Sequence, residues 1–367
     1  MGKWRMVSLG EVVTFQRGHD LPKSQMISGE YPVVGSNGII GYHNDYTTEA
    51  PSITIGRSGN TGNPFFISGR SWSHNTTLYV TDFKGNDPIF IFYLLKSLEL
   101  GSFAGGSAVP TLNRNHIYTM KVKLPPYAEQ IEIGRTLACL DAKIAVNSKL
   151  NHNLEQAARA VFKSWFVDFE PWGGVMPSDW KTGSLLDIAN YLNGLPMQKF
   201  RPAVGDAGLP VLKIKELRQG FCDSSSELCS QNIQPQYMVR DGDVVFSWSG
   251  SLLVDFWCGG DCGLNQHLFK VSSAKYDKWF YYVWTRHYLD SFIAAAADRA
   301  TTMGHIMREH LKNAEVLIPE ESDYGELRKL MAPLHDKIIL NRIESRKLAL
   351  LRDALLPRLM SGELSAV

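Results

Sequence analysis

The sequence predicts an α+β fold in which one globular module of short strands occurs twice, each copy followed by a single long helix. Two observations carry the prediction: an apolar seam at heptad spacing near the middle of the chain, and the return of that seam, polar flaws included, at the C-terminus. A third supports them, because the segments preceding the two seams show the same order of strand and turn signals.

No Gly or Pro interrupts the chain between Arg135 and Glu170, and Leu137, Leu140, Ile144, Asn147, Asn151, Leu154, Ala158, Val161 and Trp165 follow in alternating threes and fours. This is the a/d spacing of a coiled-coil seam. An offset of 194 residues lands on Met331, Leu334, Ile338, Asn341, Ser345, Leu348, Arg352, Leu355 and Leu359. Asn147 thereby matches Asn341, and Asn151 matches Ser345. Polar seam residues lower stability and set register; unrelated core helices have no reason to share them, so the repeat reads as a duplication. Segments of about 40 residues make helices roughly 60 Å long. The two seams most simply cover each other, leaving outer faces for the helices of another protein.

The modules align element by element. Trp4-Arg-Met-Val-Ser8-Leu9 opens the first and Trp180-Lys-Thr-Gly-Ser184-Leu185 the second. A Pro-led strand follows in each, Tyr31–Val34 and Leu209–Leu212. Next come a β-type run ending in a Ser-Gly turn (52–59 and 243–250) and an Asn-marked strand (74–80 and 265–271). Each module then shows an aromatic amphipathic helix (89–98 and 278–289) and a last strand ending in Pro (121–125 and 315–319). Pro171, Gly173, Gly174 and Pro177 break the first long helix. The expected divisions are a first module over 1–125, a central helix over 126–170, a linker over 171–179, a second module over 180–319 and a C-terminal helix over 320–367. Offsets drift along the modules, so one scaffold carries loops of unequal length.

A chain of 367 residues with 44% apolar and 20% charged residues suits two or three soluble domains. No apolar run reaches the length of a membrane span, and the N-terminus lacks the features of a signal peptide. Five cysteines at irregular spacing suit a reducing cytoplasm. A net charge of +1, without a polybasic segment, leaves any DNA affinity to local clusters or to a more basic partner.

Local motifs point away from chemistry. Leu124-Pro125-Pro126-Tyr127 resembles the Asn/Asp-Pro-Pro-Tyr motif of amino-methyltransferases, but Leu replaces the polar residue, and a Pro-Pro stop before a helix is the better reading. Gly56–Gly62 offers backbone donors suited to a phosphate, yet no Gly-Lys-Ser/Thr follows it. Cys258, Cys262 and His267 lack a second ligand pair for zinc, and His305 and His310 lack the pattern of a metalloprotease helix. Trp279, Phe280, Tyr281, Tyr282, Trp284 and Tyr288 are spaced as core rather than as a base-stacking surface. No nucleophile–base pair, metal cluster or carboxylate pair stands out.

Leu124-Pro125-Pro126-Tyr127-Ala128-Glu129-Gln130 before the central helix, Leu348–Gly362 at the C-terminus and the two-module plan resemble the DNA-specificity (S) subunit of type I restriction–modification enzymes. The resemblance covers essentially the whole chain, although the second copy reads Ile318-Pro319-Glu320-Glu321-Ser322 at the first motif. It implies two target-recognition domains, each reading half of a split DNA sequence, and long helices packed as an antiparallel coiled coil. It also implies that the chain itself is not an enzyme and binds no cofactor, the chemistry falling to partners: two modification subunits that methylate adenine with S-adenosylmethionine, and restriction subunits that use ATP and Mg. A protein-interaction scaffold without sequence readout is the alternative.

Base reading calls for Arg, Lys, Asn and Gln at loop tips, and phosphates for basic side chains and N–H groups. The candidates in the first module are Arg17, Lys23, Asn37, Arg57, Ser58, Asn60, His74, Asn75 and Arg114. In the second they are Lys199, Arg201, Lys213, Lys215, Ser247, Ser249, Gln266, Arg299, Thr302 and Arg308. Two unlike sets on one scaffold predict an asymmetric target.

Overall fold

The computed structural model describes residues 4–105, 110–297 and 305–365. The chain divides into two compact units, Met1–Lys143 with Leu348–Val367, and Ile144–Lys347. Two helices of 40 residues each, Tyr127–Phe166 and Glu321–Met360, contribute to both units. Among the described residues no helix is long and apolar enough to cross a membrane.

In the first unit, Arg5–Ser8 pairs antiparallel with Lys121–Leu124, joining the start of the module to the strand that leads into the central helix. A four-stranded sheet runs in the order Thr14–Arg17, Thr77–Asp82, Ser52–Gly56, Pro64–Ile67. A second sheet holds Gly38–His43, Tyr31–Gly35 and Trp72–Ser73. Helix Pro88–Ser97 starts where Asp87 accepts the Phe90 N–H at 2.8 Å, with Pro supplying the first helical φ. Its Phe90, Ile91 and Leu95 are fully buried with Phe15, Ile53 and Ile55, each worth about 1.5–3 kcal/mol of apolar burial. Ile133 and Leu137 of the central helix and Leu356, Leu359 and Met360 of the C-terminal helix complete this core.

The second unit repeats the plan. Lys181–Ser184 pairs with Glu315–Ile318, and a four-stranded sheet runs Asn190–Asn193, Leu268–Ser272, Val244–Ser247, Leu253–Phe256, the same order and direction as its counterpart. Helix Lys278–His287 occupies the place of Pro88–Ser97, and Phe280, Trp279 and Trp284 are buried as core. The unit differs in its second sheet. Leu209–Leu212 pairs parallel with Cys262–Leu264, flanked by Leu228–Cys229 and Met238–Val239, and helix Ile214–Gln219 is inserted after the first of these strands.

Side-chain contacts duplicate with the backbone. Trp4 Nε1 donates to Glu129 at 3.1 Å, and Trp180 Nε1 to Asp323 at 2.8 Å. Ser8 and Glu11 form a capping box, as do Ser184 and Asp187; the serine hydrogen bonds hold both carboxyls below the usual range. The Asp87 N–H donates to the buried Gln130 at 3.0 Å, and the Asp277 N–H to the Tyr324 hydroxyl at 2.9 Å. The second copy therefore departs from the Pro-Pro-Tyr-Ala-Glu-Gln lettering while keeping the contacts that those letters make.

Within the second unit the helices pair antiparallel. Asn147 Nδ2 donates to Ser345 Oγ at 3.2 Å and to Glu344 at 2.8 Å, while Asn341 Nδ2 donates to Asn151 Oδ1 at 2.8 Å. Asn151 Nδ2 in turn donates to the Ile338 carbonyl. All the heptad positions named above are buried or half-buried. The apolar face is nevertheless wider than the seam: Ile133, Phe162, Phe166, Leu327, Ile339 and Leu356 are also buried, because within each unit the helix segments cover that unit's module as well as each other.

Candidate nucleic-acid interface

In the first unit four segments converge at one end of the main sheet. The Gly18 N–H donates to the Thr77 carbonyl (3.0 Å), the His19 N–H to Ser73 (2.8 Å) and the Thr77 N–H to His74 (2.9 Å). Arg57 and Ser58 donate their N–H groups to the Thr76 carbonyl at 2.7 and 3.2 Å, and the Arg57 carbonyl accepts the Leu112 N–H at 2.8 Å. A bridge joins Ser58 to Thr111. Gly18 is required here, since a Cβ would lie 2.1 Å from the His74 carbonyl oxygen.

The second unit builds the same frame from different residues. Gly194 donates to Leu268 (3.0 Å), Leu195 to Leu264 (3.0 Å) and Leu268 to Asn265 (3.0 Å). The Trp248 N–H donates to the His267 carbonyl at 3.4 Å, the Trp248 carbonyl accepts the Ile306 N–H at 3.0 Å, and a bridge joins Ser249 to His305. A Cβ on Gly194 would stand 2.2 Å from the Asn265 carbonyl oxygen. Gly18, Arg57, Ser58, His74 and Leu112 thus correspond to Gly194, Trp248, Ser249, Asn265 and Ile306.

Several expected contact residues lie on this frame. Arg17 is exposed and Arg57 half-buried. Asn37 is exposed in the two-residue turn between Gly35 and Gly38, close to the frame because the Ser36 N–H donates to Thr76 Oγ1 at 3.3 Å. Asn60, in the turn closed by Gly56 and Gly62, accepts from Asn63 at 2.6 Å. His74 contacts Thr76 Oγ1 at 3.1 Å, and burial, opposed by Asp20, holds its imidazole below the ordinary range. Asn75 donates to Asp20. In the second unit Ser249 Oγ meets His267 Nδ1 at 3.0 Å, and Gln266 meets the other ring nitrogen at 3.3 Å.

Other candidates sit differently. Ser247 is fully buried, its hydroxyl donating to the Ser249 and Ser251 carbonyls, so it shapes the turn from within. Arg114 donates to the Phe15 carbonyl at 2.9 Å, tying its short helix to the sheet, and Arg308 is exposed at the start of the matching helix, Arg308–Asn313. Lys213 and Arg201 both face Glu227, at 2.5 and 3.5 Å, and Lys215 meets Asp223 at 3.3 Å. Hydrogen bonds from Ser225, with Gln219 and Lys215 adding to them, hold the Asp223 carboxyl below its usual range, and Lys213 does the same for Glu227. Lys23 and Lys199 are exposed in short 3-10 turns. Arg299 and Thr302 lie outside the described residues. Sequence reading did not name Trp248, Asn193 or His267 as candidates; the bond-by-bond match of the two frames places them on the second one.

Fold and loop clusters together define a duplicated α+β scaffold with one loop cluster in each unit. The family described as type I restriction modification DNA specificity domain matches residues 1–156. The chain is 26% identical over 299 residues to the type I restriction enzyme MjaIX specificity subunit of Methanocaldococcus jannaschii, covering 75% of this chain and 68% of that one. It is 20% identical over 356 residues to the HindI specificity subunit of Haemophilus influenzae, covering 76% and 77%. The crystal structure of the type I restriction–modification S subunit from M. genitalium superposes over 98% of this chain and 96% of that one, with a TM-score of 0.66 and 14% identity, which establishes the shared fold. Residues 1–156 thus match a type I restriction modification DNA specificity domain, and the chain as a whole shares the fold of a type I S subunit.

Proposed function

We propose that this chain is the DNA-reading, non-catalytic subunit of a type I restriction–modification complex. Each unit's loop cluster contacts one half of a bipartite, asymmetric duplex target, and partner subunits carry out methylation and restriction. The observation that carries this reading is the duplicated frame: corresponding backbone bonds in the two units, dressed at most positions with unlike side chains. Equal frames give each unit the same way of approaching a duplex, and unlike side chains give each a different base preference. Two modification subunits and the restriction subunits are the expected partners, with S-adenosylmethionine, ATP and Mg bound by them. The outer faces of the long helices, where Val146, Leu340 and Leu350 are exposed, suit their docking.

Arg57 provides the test. It is half-buried on the frame, and among the described residues its guanidinium has no hydrogen-bond or ion-pair partner. Arg57→Ala, measured by competition among duplex variants with the complex co-purified with its modification subunits, should relax one base position by about 1–3 kcal/mol. Unchanged affinity with every position still discriminated would contradict the reading.

A further inference from the structure

Matching the frames places Arg57 and Trp248 at one location. Both lie on the strand-end turn beside the main sheet, both donate their N–H to the loop before the neighbouring strand, and both carbonyls accept from the returning segment, Leu112 or Ile306. The residue before the frame glycine differs as well: Arg17 pairs with Leu78, and Asn193 with Phe269, at equivalent registers.

The chemistry of the two pairs is opposite. In the first unit neither guanidinium has a hydrogen-bond or ion-pair partner among the described residues, so two planar donors are available. In the second unit Trp248 spends its single donor on Asn193 Oδ1 at 2.9 Å. The indole rests against Phe269 and His267, with ring centroids at 5.8 and 6.0 Å, and is only half-buried. What remains for a ligand is apolar ring surface. In the major groove a guanidinium matches the O6/N7 acceptors of guanine, whereas the apolar feature of a base edge is the thymine 5-methyl.

Resting on the function proposed above, we infer that Arg17 with Arg57, and Asn193 with Trp248, are the specificity-determining pairs of the two half-sites. The first pair reads a guanine, and Trp248, positioned by Asn193, reads the 5-methyl group of a thymine at the equivalent place in the other half-site.

The test uses the complex with its modification subunits and the target selected from random duplexes. Each thymine is replaced in turn by deoxyuridine, which removes only the methyl. One thymine in one half-site should show binding about fourfold weaker on replacement, the worth of one buried methyl. Trp248→Phe should keep that sensitivity. Trp248→Arg with Asn193→Arg should abolish it and shift the preference at that position toward guanine, leaving the other half-site unchanged. If two unlike half-sites are selected but no thymine responds to loss of its methyl, this assignment is overturned while the reader function stands. If the replaced thymine still responds fully in the double-arginine variant, Trp248 is likewise overturned. Where that variant does not fold, the deoxyuridine scan of the unaltered complex decides alone. Absence of any selected half-site would instead remove the underlying function.

Discussion

Asn341 donates its side-chain amide to Asn151 Oδ1 at 2.8 Å between the two long helices, with both residues buried. Asn341 is the counterpart of Asn147, whose own amide reaches Ser345, the counterpart of Asn151. The duplicated polar positions therefore partner each other crosswise, as an antiparallel pairing of two copies requires.

This crosswise bonding should set the register of the helix pair. Asn341→Ala leaves the buried Asn151 oxygen without its donor and should cost about 1–3 kcal/mol. Replacing Asn341 and Asn151 together by Leu should recover much of that stability while loosening register. Denaturant midpoints of the single and double variants check it, and an unchanged midpoint for Asn341→Ala would count against the role.

Arg346 ties the C-terminal helix to the second module with a two-pronged bond to Asp241, at 2.9 and 2.8 Å, and donates to the Cys258 carbonyl at 2.7 Å. Lysine offers a point charge in place of the planar fork. Arg346→Lys should therefore still lower stability, by about 1–2 kcal/mol, since hydrogen bonds involving charged groups are worth about 1.5–3 kcal/mol each. Equal unfolding curves for the two proteins would show that charge alone suffices.

Asp141 gives the first unit an acid-sensitive contact. Burial raises its carboxyl, but hydrogen bonds from Tyr93 (2.7 Å) and Arg352, helped by the charge of Lys96, outweigh burial and hold it below the usual range. A lowered native pKa contributes stability that is fully present above the unfolded value, about 3.9, and is lost as pH falls through the native value. Stability measured from pH 7 downward should decline in this acidic window, and Asp141→Asn should remove that part of the decline. A parallel decline in both proteins would exclude the contact as its source.

The two frame glycines should separate the half-sites. A methyl group at Gly18 meets a carbonyl oxygen at 2.1 Å, and one at Gly194 at 2.2 Å. Overpacking of this kind costs about 1–3 kcal/mol. Gly18→Ala should therefore weaken discrimination in one half-site, and Gly194→Ala in the other, each leaving its opposite intact. Loss of both half-sites from either substitution would mean that the frames are not independent readers.

Much of the fold was legible because heptads and paired strands leave strong periodicities. The seam from Leu137 to Trp165 and its copy from Met331 to Leu359 fall on buried or half-buried positions. Phe162 and Phe166 were not anticipated, since a seam describes helix against helix and these residues face the module. The inserted helix Ile214–Gln219 was invisible because its six residues are too few to show a period. At the candidate interface, residue type named Arg57 and Asn60, which lie on the first frame, but not Trp248, which holds the place in the second frame that Arg57 holds in the first. It also favoured Lys213 and Lys215 without showing that Glu227 and Asp223 lie within reach; sequence does not reveal ion pairs across loops.

The proposed function has one chain read two different half-sites through two copies of one frame. Selection from random duplexes by the complex co-purified with its modification subunits, at stated salt, tests it most directly. Enrichment of two short, unlike motifs at one constant separation is expected. Uniform binding across the library, with only the salt dependence of phosphate contacts, would contradict it.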